Sequence, residues 1–287
     1  MNQVKPTISS VRQHLRNNLN HYYTARELEA IITIILGSVS GKERSFILAH
    51  PEHEISSFNW FKFNKICADL KNMVPVQYIT GESEFFGIKL EVTEDTMIPR
   101  QETEELVDLI IKENRKPSLK ILDIGTGTGC IGINLALNMN GPGVHATDSS
   151  PAAIRVAERN AKKHHVSISF FKDDILNPDI HKYGKYDIVV SNPPYITESE
   201  KAGMSRNVLD YEPHNALFVP DNNALIYYRS VLELSKKVLK SHGHLYFEIN
   251  ENKAVEMKNL LTDYGYLNTV VTNDINGKPR ITKSIKS

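Results

Sequence analysis

From Leu119 onward the chain alternates short apolar runs with amphipathic stretches, and this alternation leaves few folds open. Runs bounded by turn residues predict strands at Lys120–Ile124, Val144–Thr147, Ile168–Lys172, Tyr186–Ser191, Leu245–Ile249 and Leu267–Thr272. Helical spacing of apolar residues falls between them, at Cys130–Asn138, Pro151–His165 and Ala224–Leu239. Strands separated by helices are joined by crossovers, which favour parallel pairing and cover both sheet faces. The expected class is α/β, with a mostly parallel sheet.

The first 80 residues differ. Apolar positions recur at helical spacing through Val4–Leu19, Leu28–Leu36 and Phe58–Leu70. Thr24 and Glu27 fit a capping box opening the second segment, and Gly37 and Gly41 punctuate its end. Trp60 with Phe58, Phe61 and Phe63 is read as core of this bundle. Residues 81–97, with Phe85-Phe86-Gly87-Ile88 alternating around a glycine, predict a hairpin bridging two domains. Ile98-Pro99-Arg100 ends it, and Glu102–Lys112 opens a helix with acids in its first turn, which the helix dipole favours. The expected domains are therefore a helical unit over 1–80, a linking hairpin over 81–97 and an α/β domain over 98–287.

Composition limits the partners. Lys+Arg and Asp+Glu are both 34, so no global field draws the chain to nucleic acid or to a membrane. Residues 1–80 hold nine Lys/Arg against six Asp/Glu, leaving 25 against 28 for the rest, a faint asymmetry that solvated helix faces also explain. Cys67 and Cys130 are the only cysteines, far apart, which favours a reducing compartment over disulfides or a structural zinc. His164-His165 beside Lys162 and Lys163 is read as an exposed helix end, and no metal is expected. The most apolar run, Ala30–Leu36, is too short to span a bilayer, and the N-terminus lacks a signal-peptide core, so a cytoplasmic location is expected.

Two stretches carry chemistry. The strand Ile121-Leu122-Asp123-Ile124 runs into Gly125-Thr126-Gly127-Thr128-Gly129 and then a helix, where glycines let a ligand approach the backbone. A dinucleotide fingerprint would need glycine at 130, but Cys130 stands there. The next strand ends at Asp148, placed to accept hydrogen bonds from both ribose hydroxyls, and the following one ends at Lys172-Asp173-Asp174-Ile175. An acid there can accept from an adenine amino group while Ile175 packs on the base. Asp123 is suited to orienting the loop or an ammonium. The nucleoside these features fit best is S-adenosylmethionine, which carries an amino acid.

The second stretch is Val189-Val190-Ser191-Asn192-Pro193-Pro194-Tyr195. Proline has no N–H and a fixed φ, so two in succession end a ladder and leave Asn192 on a rigid ledge. With the glycine loop upstream, this stretch resembles the Asn/Asp-Pro-Pro-Tyr signature of methyltransferases acting on an NH₂ conjugated to a carbonyl or an aromatic ring. Such a nitrogen has a delocalised lone pair and must have its N–H bonds gripped. Asn192 offers its side-chain oxygen, Pro193 its backbone carbonyl, and Pro194 rigidity. Tyr195 is expected to wall the planar group.

Further segments single out a subfamily. Gln77-Tyr78-Ile79-Thr80-Gly81, Glu84-Phe85-Phe86-Gly87, Ile98-Pro99-Arg100-Gln101-Glu102-Thr103-Glu104, Asp210-Tyr211-Glu212-Pro213, Ala216-Leu217-Phe218 and Asp274-Ile275-Asn276-Gly277-Lys278-Pro279-Arg280 resemble segments of the release-factor glutamine methyltransferases, the HemK/PrmC family. The resemblance spans about residues 75–283 and is weaker over the N-terminal helices. Gln101 stands where the family usually has proline, and Asn250 where glycine is commoner.

The resemblance implies a class I, Rossmann-like methyltransferase domain with a mostly parallel seven-stranded sheet, after a small all-α bundle and a hairpin. It implies methyl transfer from S-adenosyl-L-methionine to the glutamine amide of the Gly-Gly-Gln loop of class 1 peptide chain release factors, by a monomer that does not bind nucleic acid directly. Catalytic and substrate-binding roles fall to Asn192, Pro193, Pro194 and Tyr195. Cofactor binding falls to Gly125, Thr126, Gly127, Thr128, Gly129, Asp148, Asp174, Ile175 and Asn192. The implied position of Arg100 and its neighbours is near the active site, and Ile196–Asn223, a long polar insertion after the ledge, is expected to cover the glutamine channel. Three rivals share parts of this pattern: a ribosomal-protein glutamine methyltransferase, an adenine or guanine methyltransferase, and a non-catalytic S-adenosylmethionine-binding module. The balanced charge counts against the second, and the intact Asn192 ledge against the third.

Overall fold

The computed structural model describes residues 5–55 and 59–287. The chain divides into two units, Met1–Gly81 with Arg206–Tyr211, and Glu82–Ser205 with Glu212–Ser287. Val4 and Phe58, the first residues of two expected helical segments, lie outside the described residues.

The first unit is helical: α1 Ile8–Leu19, α2 Ala25–Ser40, α3 Arg44–Ala49, α4 Trp60–Lys71 and α5 Val76–Thr80. Its core joins Ile8, Val11, Leu15 and Leu19 of α1 to Ile32, Ile35 and Leu36 of α2 and Phe63, Cys67 and Leu70 of α4. The aromatic group of α4 is divided. Phe63 is buried with Cys67 and Leu70, four and seven residues on, whereas Phe61 is 83% exposed and Trp60 46%. The reading of all of these aromatics as core is therefore corrected: helical geometry turns Phe61 off the apolar stripe. Thr24 caps α2 by accepting the Glu27 N–H. Gly37 lies inside that helix, and Gly41 alone, at φ 66°, ends it.

The second unit is built on the expected sheet. It comprises a hairpin, β1 Glu82–Phe85 and β2 Ile88–Glu91; α6 Gln101–Glu113; β3 Lys120–Ile124; α7 Cys130–Asn138; β4 Gly143–Asp148; α8 Pro151–Lys163; β5 Ile168–Lys172; and β6 Tyr186–Ser191. After β6 come β7 Ile196–Thr197, the short helix α9 Arg206–Leu209 (grouped with the first unit) and β8 Phe218–Val219, then α10 Ile226–Val238, β9 Leu239–Glu248, α11 Ala254–Asp263, β10 Tyr266–Asn273 and β11 Pro279–Lys286. Seven strands pair in the order β10-β11-β9-β6-β3-β4-β5. The five from β9 to β5 are mutually parallel; β11 is antiparallel to both its neighbours.

Strand alternation sorts the core. Leu122, Ile124, Val189, Leu245 and Phe247 face α10 and α11. Ile121, Ile188, Val190 and Tyr246 face α6, α7 and the hairpin residues Phe85 and Leu90. The hairpin is thus part of the sheet unit rather than a separate linker, because its buried residues belong to that unit's core.

Two further elements were not enumerated from the apolar pattern. β11 is not among the six strands enumerated from the apolar runs. Its polar side chains hide it, although Thr282 and Ser284 are buried, with Ser284 Oγ 2.8 Å from Thr269 Oγ1. Pro279 takes the first strand position, where its missing N–H costs least. The Ile196–Asn223 insertion carries ordered structure, with β7 and β8 pairing in parallel.

One buried amide binds hairpin, helix and loop. Asn160 of α8 accepts from the Glu91 N–H at 2.6 Å and donates to the Glu91 carbonyl at 2.9 Å and the Thr128 carbonyl at 3.0 Å. Asn160→Ala leaves these backbone groups without their partner, at about 1–3 kcal/mol for each group that stays desolvated. Urea denaturation is expected to show a loss of at least about 2 kcal/mol; a loss under about 0.5 kcal/mol would mean that the clamp carries no load.

Candidate active site

The site forms where the sheet reverses its order. β3 has β4 on one side and β6 on the other, all parallel, so the loops leaving their C-terminal ends diverge and open a crevice. The loop after β3 is Gly125–Gly129. Its three glycines have φ of 75°, 55° and 82°, in the left-handed region that other residues enter at a cost. The space around Gly125 and Gly127 is open, so conformation alone demands glycine there. Gly129 differs, because a Cβ would lie 2.9 Å from Ile133 Cδ1 and 3.2 Å from Ala157 Cβ. Its missing side chain lets α7 and α8 approach.

Two carboxylates hold the loop. Asp123 is fully buried; its Oδ2 accepts from Thr126 Oγ1 at 2.7 Å and from the Gly132 N–H at 3.2 Å. Burial, which penalises the charged form, pushes its pKa from 3.8 up to about 6. Asp148, at the end of β4, accepts from the Gly127 N–H and the Ser150 N–H, each at 2.9 Å. Burial raises its pKa as well.

These elements surround a cavity of about 230 Å³, far larger than the water-sized voids of a packed interior. Gly125, Thr126, Gly127, Thr128, Asp148, Asp174, Ile175, Asn192, Pro193 and Pro194 all line it, so most of the residues singled out in the sequence are brought together. Gly129, Asp123 and Tyr195 do not line it. Of the two acids after β5, Asp173 is tied down by Tyr183 Oη at 2.7 Å and Lys182 Nζ at 3.1 Å, while the Asp174 side chain takes the Leu176 N–H at 3.0 Å.

The ledge hangs from the end of β6. Ser191 Oγ donates to the Ile124 carbonyl at 2.7 Å, locking β6 to β3 just before Asn192. Asn192 Nδ2 donates to Thr103 Oγ1 at 3.2 Å. Thr103 Oγ1 donates to Glu248 Oε2 at 2.6 Å, and Tyr195 Oη donates to Glu248 Oε1 at 3.0 Å. Tyr195 therefore stands behind the ledge, packed on the core with its phenol held by a buried carboxylate. Burial and the Glu248 charge hold its pKa well above the ordinary phenol value.

Sequence reasoning passed over several of these groups. Glu248 sits in an apolar strand and shows no local motif. Thr103 lies inside an acidic run explained by the helix dipole, yet it is buried while its neighbours do specific work: Glu104 accepts the Phe86 N–H and Glu105 the Ile275 N–H. Asp210-Tyr211-Glu212-Pro213 was the available signal for Glu212. That carboxylate takes Arg100 Nη2 at 2.5 Å and the Ile98 N–H at 3.1 Å, fixing the segment whose Met97 and Pro99 line the cavity. Asn250 also has a function as a tether: its Nδ2 donates to the Tyr195 carbonyl at 3.3 Å and to Glu200 at 3.1 Å.

A glycine loop and an Asn-Pro-Pro ledge facing one cavity at the switch point of this sheet define a methyltransferase-type site. The "Methyltransferase small domain" family model matches residues 101–210, and the "PrmC N-terminal domain" model residues 10–81. A release factor glutamine methyltransferase of Flavobacterium psychrophilum is 42% identical over 96% of this chain and 98% of its own. One of Bacteroides thetaiotaomicron is 38% identical over the same shares. Among solved structures, the hMettl16 catalytic domain superposes with a TM-score of 0.53 at 18% identity, covering 76% of this chain and 81% of that one, a likeness of fold. The chain belongs to the release factor glutamine methyltransferase family.

Asp123 makes a prediction about pH. With a folded pKa of about 6 against 3.8 unfolded, its contribution to stability is complete below pH 3.8 and is lost as pH rises through about 6. Asp123→Asn removes that titration. The stability of the wild type relative to the variant, from denaturation midpoints, is expected to fall across this window; a constant difference would contradict the burial argument.

Proposed function

We propose that this protein transfers a methyl group from S-adenosylmethionine to the side-chain amide nitrogen of the glutamine in the Gly-Gly-Gln loop of class 1 release factors. The observation that carries the reading is the pairing, in one cavity, of the Asn192-Pro193-Pro194 ledge with the glycine loop and two carboxylates. The residues suit the cofactor. Gly125 and Gly127 leave open backbone for close approach, and Asp148 presents a carboxylate where ribose hydroxyls can donate. Asp174 and Ile175, which also line the cavity, offer an acceptor and an apolar face for the base. When bound, S-adenosylmethionine supplies an electrophilic methyl group.

The chain's own task is to orient a poor nucleophile. An amide nitrogen delocalises its lone pair into the carbonyl, and deprotonating it in advance is costly. Asn192 Oδ1 and the Pro193 carbonyl are the acceptors for its two N–H bonds, turning the lone pair toward the methyl group. As the nitrogen gains positive charge, acceptors held rigid by two prolines need no reorganisation. The helical unit is read as the element that recognises the protein substrate, since none of its described residues lines the cavity.

The test offers purified release factor, a ribosomal protein and DNA side by side in a tritiated methyl-transfer assay. Label on the Gly-Gly-Gln glutamine alone is expected; label on one of the other substrates would overturn the reading. Asn192→Ala is expected to lower turnover roughly 10²–10³-fold with cofactor affinity nearly unchanged. Asp148→Ala is expected to do the reverse, each charge-assisted bond being worth at most about 1.5–3 kcal/mol of cofactor affinity. Calorimetry on folded variants separates the two; normal binding by Asp148→Ala would remove that residue from the site.

A further inference from the structure

We propose that Glu248, acting through Thr103, fixes which end of the Asn192 amide faces the cavity, and so is a positioning residue for the methyl-accepting nitrogen. This rests on the reading of Asn192 Oδ1 as the acceptor for a substrate N–H. An asparagine side chain is nearly symmetric in shape, and its two ends differ only in hydrogen-bond polarity. Nothing about the ledge's backbone distinguishes an Oδ1 turned toward the substrate from an Nδ2 turned the same way. The second arrangement would set N–H against N–H and abolish the grip.

The choice is made two residues away. A hydroxyl has one proton and two lone pairs. Thr103 Oγ1 stands 2.6 Å from Glu248 Oε2, and an ionised carboxylate has no proton to give, so the threonine proton goes to Glu248. Only a lone pair is left for Asn192, at 3.2 Å, and Nδ2 must turn to it. Oδ1 is thereby directed away from Thr103. The Tyr195 phenol spends its proton on Oε1 in the same way, so both carboxylate oxygens are held by donors. Glu248 is 1% exposed, and no bulk water competes for it.

Polarity in such a chain is reversible. A protonated Glu248 that donates to Thr103 frees the threonine hydrogen to point at Asn192, and the amide is then driven to turn over. The groups facing Glu248 are Thr103 and Glu102 of α6, Tyr195 of the ledge, Tyr228 of α10 (whose phenol donates to the Glu248 carbonyl), Cys130 at the start of α7, and Arg280 of β11. Arg280, Thr103 and Tyr195 favour the charged carboxylate, Glu102 opposes it, and burial opposes it most, so its pKa is raised. Turnover at saturating substrates is therefore expected to fall on the acid side as Glu248 takes up its proton.

The experiment measures kcat against pH for methylation of intact release factor by the wild type, Thr103→Val and Thr103→Ser, with cofactor affinity by calorimetry and thermal midpoints alongside. Valine keeps the threonine shape and removes the hydroxyl. It is expected to lose about tenfold to hundredfold in kcat, as is typical when an outer partner of a functional group is removed. It should leave cofactor affinity within about twofold and abolish the acid limb, since protonation of Glu248 no longer reaches Asn192. Serine restores the hydroxyl and is expected to recover most of kcat together with the acid limb. Should the valine protein fail to fold, Thr103→Ala supplies the same comparison. A valine or alanine enzyme with wild-type kcat and an unchanged pH profile would overturn the positioning role while leaving the methyl-transfer reading intact. A wild type that leaves the Gly-Gly-Gln glutamine unlabelled would overturn both.

Discussion

Parallel pairing of β3 with strands on both of its sides is the constraint on which the rest depends. A strand so placed has its backbone groups consumed along both edges, and its side chains are buried on both faces. The chain becomes free to do chemistry only where the ladder stops. At that edge three loops leave together: the glycine loop from β3, the Asp148 turn from β4 and the Asn192 ledge from β6. Each stands on a strand whose register with its neighbours is fixed, so the distances among them are set by the sheet and not by the loops. The bond from Ser191 to the Ile124 carbonyl carries that register to the last residue before the ledge.

Charge at this edge is managed by burial. Asp123, Asp148 and Glu248 are carboxyls whose surroundings raise their pKa, and each is compensated by donors rather than by a direct salt bridge. A buried carboxylate held by good donors is specific in its geometry: two donors converge on Oδ2 of Asp123, and Glu248 has one on each oxygen. Asp123 uses this to shape the loop from beneath, and Glu248 uses it to brace the ledge from behind. Neither lines the cavity.

How much of this was legible in the sequence follows from the range of each interaction. β3, β5 and β6 were read to the residue because apolar runs ending at Gly, Asp-Asp or Asn-Pro are local signals. The cavity residues of the glycine loop, Asp148, Asp174, Ile175 and the Asn192-Pro193-Pro194 ledge were found for the same reason, since each follows directly on a strand. The Thr103–Glu248 pair joins residues 145 apart, and nothing near either one marks the other. Gly129 and Tyr195 were recognised as part of the pattern, but their contacts could not be read from it. One makes room for helix packing and the other anchors to a carboxylate; both supports become visible only once the sheet brings the pieces together. The hidden strand β11 and the exposed Phe61 fall to a related cause, because polar residues buried in a sheet and apolar residues turned off a helix stripe both mislead a count of hydrophobicity.

The insertion of β11 between β9 and β10 has a consequence for the order in which the molecule matures. The other six strands of the sheet are all made before it, yet the strand that ends in Glu248 has an unpaired edge until β11 arrives. Arg280 and Ile249 then exchange backbone and side-chain bonds just beyond Glu248. Pairing across that gap waits until α11 and β10 have been made, because β11 follows both in the chain. The glycine loop can therefore take shape on a nascent chain well before the ledge has its brace. The glycine-loop wall of the cavity is in that sense an early feature of this fold, and the braced ledge is the last to be completed.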